Sequence, residues 1–144
     1  MPEFLLNKYF QPVLLSWILA QAYKVVRAII AQRKLDVRVF FSMGGMPSSH
    51  SAAVAALATA IGLGEGVRSA TFALALIFAA IVMYDAAGVR RAAMAQARIL
   101  NQIIDELFQG HPISETRLRE LLGHTPFEVV VGAALGIAIA YLLQ

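Results

Sequence analysis

Apolar residues in this chain come in long blocks separated by short polar connections, and not as one side of each helix. Four blocks are predominantly apolar: residues 12–31, 49–64, 69–87 and 126–143. Each approaches the roughly 20 residues with which a helix crosses a bilayer. A soluble helix of that length shows a polar face, and the third and fourth blocks show almost none. The pattern therefore predicts an all-α, polytopic membrane bundle with about four spans, forming a single domain over residues 1–144.

Between the third and fourth blocks the period changes. Ile99, Leu100, Ile103, Ile104, Leu107 and Phe108 recur at helical spacing, with Arg91, Arg98, Gln102, Asp105 and Glu106 mostly elsewhere on the wheel. This predicts an amphipathic helix on the membrane surface or over the other helices, within a connecting segment spanning 90–123. Ser114 is expected to cap a further short helix carrying Arg117 and Arg119.

Composition agrees with the pattern: 59% of residues are hydrophobic, 15% are charged and the mean hydropathy is +0.68, which favours a membrane protein. The alternative is a small all-α soluble bundle, since the second block is short and the first carries Lys24 and Arg27. The net charge of +3 has no basic stripe interleaved with aromatics, so nucleic acid is not an expected partner and the lipid bilayer is. Arg33, Lys34 and Arg38 lie between the first two blocks, and Arg90, Arg91, Arg98, Arg117 and Arg119 between the last two, against only Arg68 in the second connection. By the positive-inside rule both long connections are cytoplasmic and both termini are outside. The N-terminus lacks the basic region and small-residue cleavage site of a signal peptide, so the first span is expected to be retained. Without cysteine there are no disulfides or thiolate metal sites.

Candidate chemistry concentrates in one stretch, Met43-Gly44-Gly45-Met46-Pro47-Ser48-Ser49-His50-Ser51. Its glycines permit close backbone approach, Pro47 pre-sets a first helical turn, and Ser48 or Ser49 can cap exposed N–H groups. A helix N-terminus of this kind suits an anion, and His50 adds a titratable group beside it. The same residues also describe a well-capped membrane helix and nothing more. Lys24 lies deep in the first block, where an ionisable side chain points to function, whereas Arg27 is explained by snorkelling to the headgroups. Helix counting brings His50, Asp85, Arg90, Arg91, His124 and Glu128 to one membrane face. Asp85 reads equally as a site member or as an ion-pair partner of Arg90 and Arg91.

Two of these segments, Pro47-Ser48-Ser49-His50 and Gly123-His124-Thr125-Pro126-Phe127-Glu128, resemble the second and third motifs of the type-2 phosphatidic acid phosphatases, the superfamily that includes vanadium haloperoxidases. Ser49 replaces the family's glycine, and Glu128 replaces an aspartate four residues after the histidine. With Gly-Gly-Met-Pro-Ser-Ser-His and Tyr-Asp-Ala-Ala-Gly-Val-Arg-Arg, the chain looks most like the compact, divergent branch of that superfamily. The first family motif, a lysine seven residues before Arg-Pro, is absent; Lys34 and Arg38 stand in that region at other spacings. Leu118 stands where the third motif's arginine belongs, with Arg117 and Arg119 beside it and Arg90 and Arg91 as alternative donors.

The resemblance implies a metal-independent lipid phosphatase without a cofactor. In it His124 is the nucleophile, Glu128 holds its other ring nitrogen, and His50 is the general acid and then base. Ser48, Ser49, Lys24, Arg38, Asp85, Arg90 and Arg91 are the expected substrate-binding set, and the substrate is a phosphorylated lipid in a bacterial inner or plastid-type membrane. The alternative is a non-catalytic membrane protein that keeps the pocket to bind or transport phosphate or phospholipid. Gly132 and Gly136 form a small-residue face in the last block, where a homodimer would pack.

Overall fold

The computed structural model describes residues 3–33, 45–107 and 124–144, and these are helical apart from short connections. A short 3₁₀ turn, Glu3–Leu6, leads into α1 (Phe10–Gln32), followed by α2 (Ser49–Glu65) and α3 (Ala70–Tyr84). A π-helical turn, Asp85–Val89, joins α3 to α4 (Arg90–Leu107), and α5 (Pro126–Leu143) closes the chain. Arg38, Ser114, Arg117, Leu118 and Arg119 lie outside the described residues, as do the side chains of Arg90 and Arg91.

Local chemistry explains where the helices begin. Ser48, Ser69 and Thr125 each hold an extended backbone and accept a hydrogen bond from an N–H in the first turn of α2, α3 and α5 respectively. Each cap satisfies a donor that no intrahelical carbonyl can reach. Pro126 occupies the first turn of α5, where a missing N–H costs nothing. Pro47 does not play that part in α2. It stands one residue before the Ser48 cap, outside the helix, so the first turn is set by the cap. At the other end α2 stops at Gly66, whose φ of 86° is open to glycine and strained for other residues.

The bundle is organised around α2, which packs against α1, α3 and α5. Its inner surface is mostly alanine and serine, including the fully enclosed Ser51, Ala52, Ala56 and Ala60, so neighbouring backbones come close. Three contacts fix the direction of α1. Tyr9 lies against Gly64, the Lys8 carbonyl accepts from the Gln144 side chain, and Ser16 donates to the Ala52 carbonyl at 3.3 Å. Thus α1 runs antiparallel to both α2 and α5.

The exterior is apolar. Leu74, Ile77, Phe78 and Ile81 of α3 and Val130, Ile137 and Leu142 of α5 face outward, as a lipid solvent requires. Among the described residues, three segments are long and apolar enough to cross a membrane: Phe10–Ala31, Ala70–Gly88 and Pro126–Leu143. At 17 residues α2 is the short central helix that these enclose. The count of about four spans is therefore three by length and one by enclosure.

Gly132 and Gly136 are used inside the chain. A Cβ at Gly132 would overlap the Ser48 carbonyl oxygen, and one at Gly136 the Ala52 carbonyl oxygen. The face expected to receive a second copy is already filled by α2. That expectation is corrected, because two helices in contact backbone to backbone leave no surface there for a third.

The amphipathic segment forms α4, and among the described elements it packs chiefly against the π turn from which it grows. Ile99, Leu100 and Ile103 are exposed on it. Asn101, on the same helix, is buried.

Candidate functional site at the joined helix ends

α2 and α5 start side by side because Gly132 and Gly136 let their backbones touch one turn further in. The Ser48 N–H donates to the Glu128 carbonyl at 3.1 Å, which ties the lead-in of α2 to the first turn of α5. The His124 N–H donates to the Ala86 carbonyl at 3.2 Å, which ties the lead-in of α5 to the π turn. Two backbone bonds thus hold three chain segments at one end of the bundle. A π turn within a helix often marks a functional site, and here it accommodates the backbone of the candidate nucleophile.

Side chains complete the arrangement. His124 is buried, and its Nδ1 lies 3.2 Å from Oε2 of Glu128. The same oxygen accepts the Thr125 N–H at 3.0 Å, and the Thr125 hydroxyl accepts the Glu128 N–H at 3.3 Å. This reciprocal capping box gives Glu128 two roles at once: it closes the helix start and holds the imidazole. With Nδ1 as the donor to carboxylate, Nε2 carries the lone pair.

Ser48 and Ser49 are both buried. The Ser48 hydroxyl accepts from the Ser51 N–H at 3.3 Å and from the Ser51 hydroxyl at 2.9 Å. Because the Ser48 N–H is engaged by Glu128, it is not among the donors that the open end of α2 can present. His50 is half-buried in the same first turn. Asp85 adjoins Ala86 in the π turn and is also half-buried. Lys24 of α1 is buried, and its charge interacts with that of Glu128.

Of the residues singled out from the sequence, His124, Glu128 and Ser48 are linked by these contacts, with Asp85 next to the carbonyl that receives His124. Three further participants were not in the site set expected from the sequence. The Ala86 carbonyl and Ser51 act through backbone and hydroxyl bonds that no residue type announces. Thr125 was signalled by its spacing to Glu128, since Thr-x-x-Glu is a capping-box pattern. Gln21, one turn before Lys24 on the same helix, is buried as well.

Comparison with known proteins agrees with this arrangement. The pattern of the divergent PAP2 family matches residues 5–139, nearly the whole chain. This chain belongs to the divergent PAP2 family. The chain is also 41% identical, over 152 aligned positions, to a protein of Bacillus subtilis (strain 168) called "Uncharacterized membrane protein YuiD". That alignment covers 98% of this chain and 96% of the relative. No solved structure matches. Family, relative and apolar exterior together identify an integral membrane protein.

Proposed function

We propose that this member of the divergent PAP2 family is a membrane-embedded phosphohydrolase that removes phosphate from a lipid phosphate or pyrophosphate through a phospho-histidine at His124. The observation that carries the reading is the buried His124–Glu128 pair, locked by a capping box and bonded through its backbone to both α2 and the π turn.

In this reading Nε2 of His124 attacks phosphorus while Glu128 keeps Nδ1 protonated and stabilises the imidazolium character that develops. The bond from phosphorus to the leaving oxygen breaks, and His50 supplies the proton that oxygen needs. Water then attacks the phospho-histidine, His50 takes its proton, and the N–P bond breaks to return neutral His124. The Ser49 N–H, the α2 helix end and the Lys24 ammonium hold the equatorial oxygens as their charge grows. Arg38, Arg90 and Arg91 are further cations for the same phosphate, and Asp85 orients them or the π turn. The basic connections support a site open to the cytoplasmic leaflet, with the amphipathic α4 at its margin.

A second reading follows from Leu118 in place of the family's arginine and from the missing lysine motif: a phosphate or phospholipid binding or transport protein that has kept the pocket. One experiment separates the two. Purified protein is offered polyprenyl pyrophosphates, phosphatidic acid and phosphatidylglycerol phosphate, with His124→Ala alongside. Inorganic phosphate released by the native chain and lost in the variant supports the hydrolase. No release from folded protein across the panel supports binding or transport.

A further inference from the structure

One buried polar group is explained by neither the fold nor the proposed chemistry. The Gln21 side chain is 5% exposed, and its Oε1 has no hydrogen-bond partner among the described residues. Burying an amide oxygen without a donor is unfavourable, and in native proteins such orphans call for a specific cause. The neighbouring polar residue on α1, Ser16, has two acceptors for its hydroxyl, so α1 is not generally short of partners.

The register of the bundle says where Gln21 sits. Ser16 lies against Ala52, and α1 runs antiparallel to α2. Four residues further along α1, and four back along α2, Ala20 comes level with Ser48. Gln21 is therefore at the level of the Ser48 and Ser49 turn, and Lys24 lies one turn nearer the membrane face, where it senses Glu128. Both α1 side chains are buried. The acceptors of the Ser48 hydroxyl and of Glu128 Oε2 are already engaged within the protein, and what this level of the bundle offers an anion includes the α2 helix end and the Lys24 ammonium. An acceptor among such donors disfavours a fully deprotonated oxyanion, unless the ligand brings an O–H of its own.

Resting on the phosphate site proposed above, we propose that Gln21 is its specificity residue: its Oε1 accepts a hydrogen bond from an O–H carried by the bound phosphate compound. That O–H belongs either to a protonated phosphate oxygen or to a hydroxyl of the esterified alcohol. Sulfate, which has neither at neutral pH, is rejected because it leaves the buried oxygen unpaired and facing another acceptor. Lys24 supplies attraction to any anion, and Gln21 supplies the choice among them.

The test uses the full-length protein in detergent or nanodiscs and measures binding of four probes: inorganic phosphate, sulfate, glycerol 3-phosphate and methyl phosphate. The native chain is expected to prefer phosphate over sulfate by about tenfold or more, the scale of one buried hydrogen bond. Gln21→Met keeps size and burial but removes the acceptor. Collapse of the phosphate-to-sulfate preference in that variant assigns the O–H to the oxyanion. Collapse only of the glycerol 3-phosphate to methyl phosphate preference assigns it to the alcohol. Lys24→Met should weaken all four probes while leaving their ratios alone. Native-like ratios in a folded Gln21→Met protein overturn the inference and leave the phosphate site standing. A native chain that binds none of the four overturns both.

Discussion

The Ser48 N–H points at the Glu128 carbonyl oxygen, 3.1 Å away, across the line where two helices begin. Ser48 belongs to one motif and Glu128 to the other, some eighty residues apart in the chain. This bond places the second motif's cap against the carboxylate-bearing turn of the third. It also removes the Ser48 amide from the donors that a phosphate can use.

The Gly132 and Gly136 contacts predict a steric effect on stability. Gly132→Ala and Gly136→Ala each push a methyl group into a backbone carbonyl of α2, and neither neighbour can rotate away as a side chain could. Each variant is expected to lose about 1–3 kcal/mol or more of stability, read as a lower midpoint of thermal unfolding in detergent. Gly88→Ala, where an added Cβ meets nothing within 4 Å, should cost far less. Equal midpoints for all three variants would contradict the close packing of α2 on α5.

Glu128→Gln separates charge from geometry. One carboxylate oxygen accepts both the Thr125 N–H and the His124 Nδ1–H, and a glutamine oxygen can occupy the same position. The capping box should survive, with the unfolding midpoint close to native. Turnover on a lipid phosphate should fall about 10²–10⁴-fold, because the imidazolium that forms during attack loses its counter-charge. Native turnover in this variant would remove Glu128 from the proposed mechanism.

Ser48→Ala removes a cap while leaving the Ser48 N–H to Glu128 bond in place. Both Ser51 bonds to the hydroxyl disappear, and the Ser51 N–H is left buried. A loss of about 1–2 kcal/mol is expected, at the upper end for a cap because the site is enclosed. Thr125→Ala, whose cap is exposed, should cost less. Chemical denaturation of both variants in one detergent ranks them directly.

α4 should lie in the membrane interface with Ile99 and Ile103 toward the acyl chains. The chain has no cysteine, so a single introduced thiol is the only labelling point. A polarity-sensitive fluorophore at Ile99→Cys in anionic nanodiscs should report an apolar setting, and the same fluorophore at Arg98→Cys a wet one. Matching spectra at the two positions would place α4 in water or in a protein contact.

Much of the bundle is written in hydrophobic blocks. α5 begins and ends where the sequence pattern puts it, and α2 differs by one residue at its C-terminal end. α1 starts earlier than its proline suggests, because the Asn7 side chain accepts the Tyr9 N–H and starts the helix ahead of Pro12. The π turn was hidden, since Asp85 to Val89 reads as a continuation of α3 and only hydrogen-bond register tells the two apart. The partner of Gly132 and Gly136 was hidden for a related reason. Small residues announce that something comes close, but not whether it is the same chain or another copy. His124 and Glu128 were singled out through the resemblance of their segment to the third family motif; His124 stands ahead of the helix, and the cap at Thr125 brings the two side chains together.

Helices in lipid gain little from burying apolar surface against each other, so something else must keep α2 from sliding along α5. The two glycines act as notches, each receiving a carbonyl of the facing backbone. A shift by a fraction of a turn would drive a neighbouring side chain against that carbonyl. The distance between the two candidate catalytic motifs is thereby gauged by missing atoms, and it holds whether or not a ligand is present.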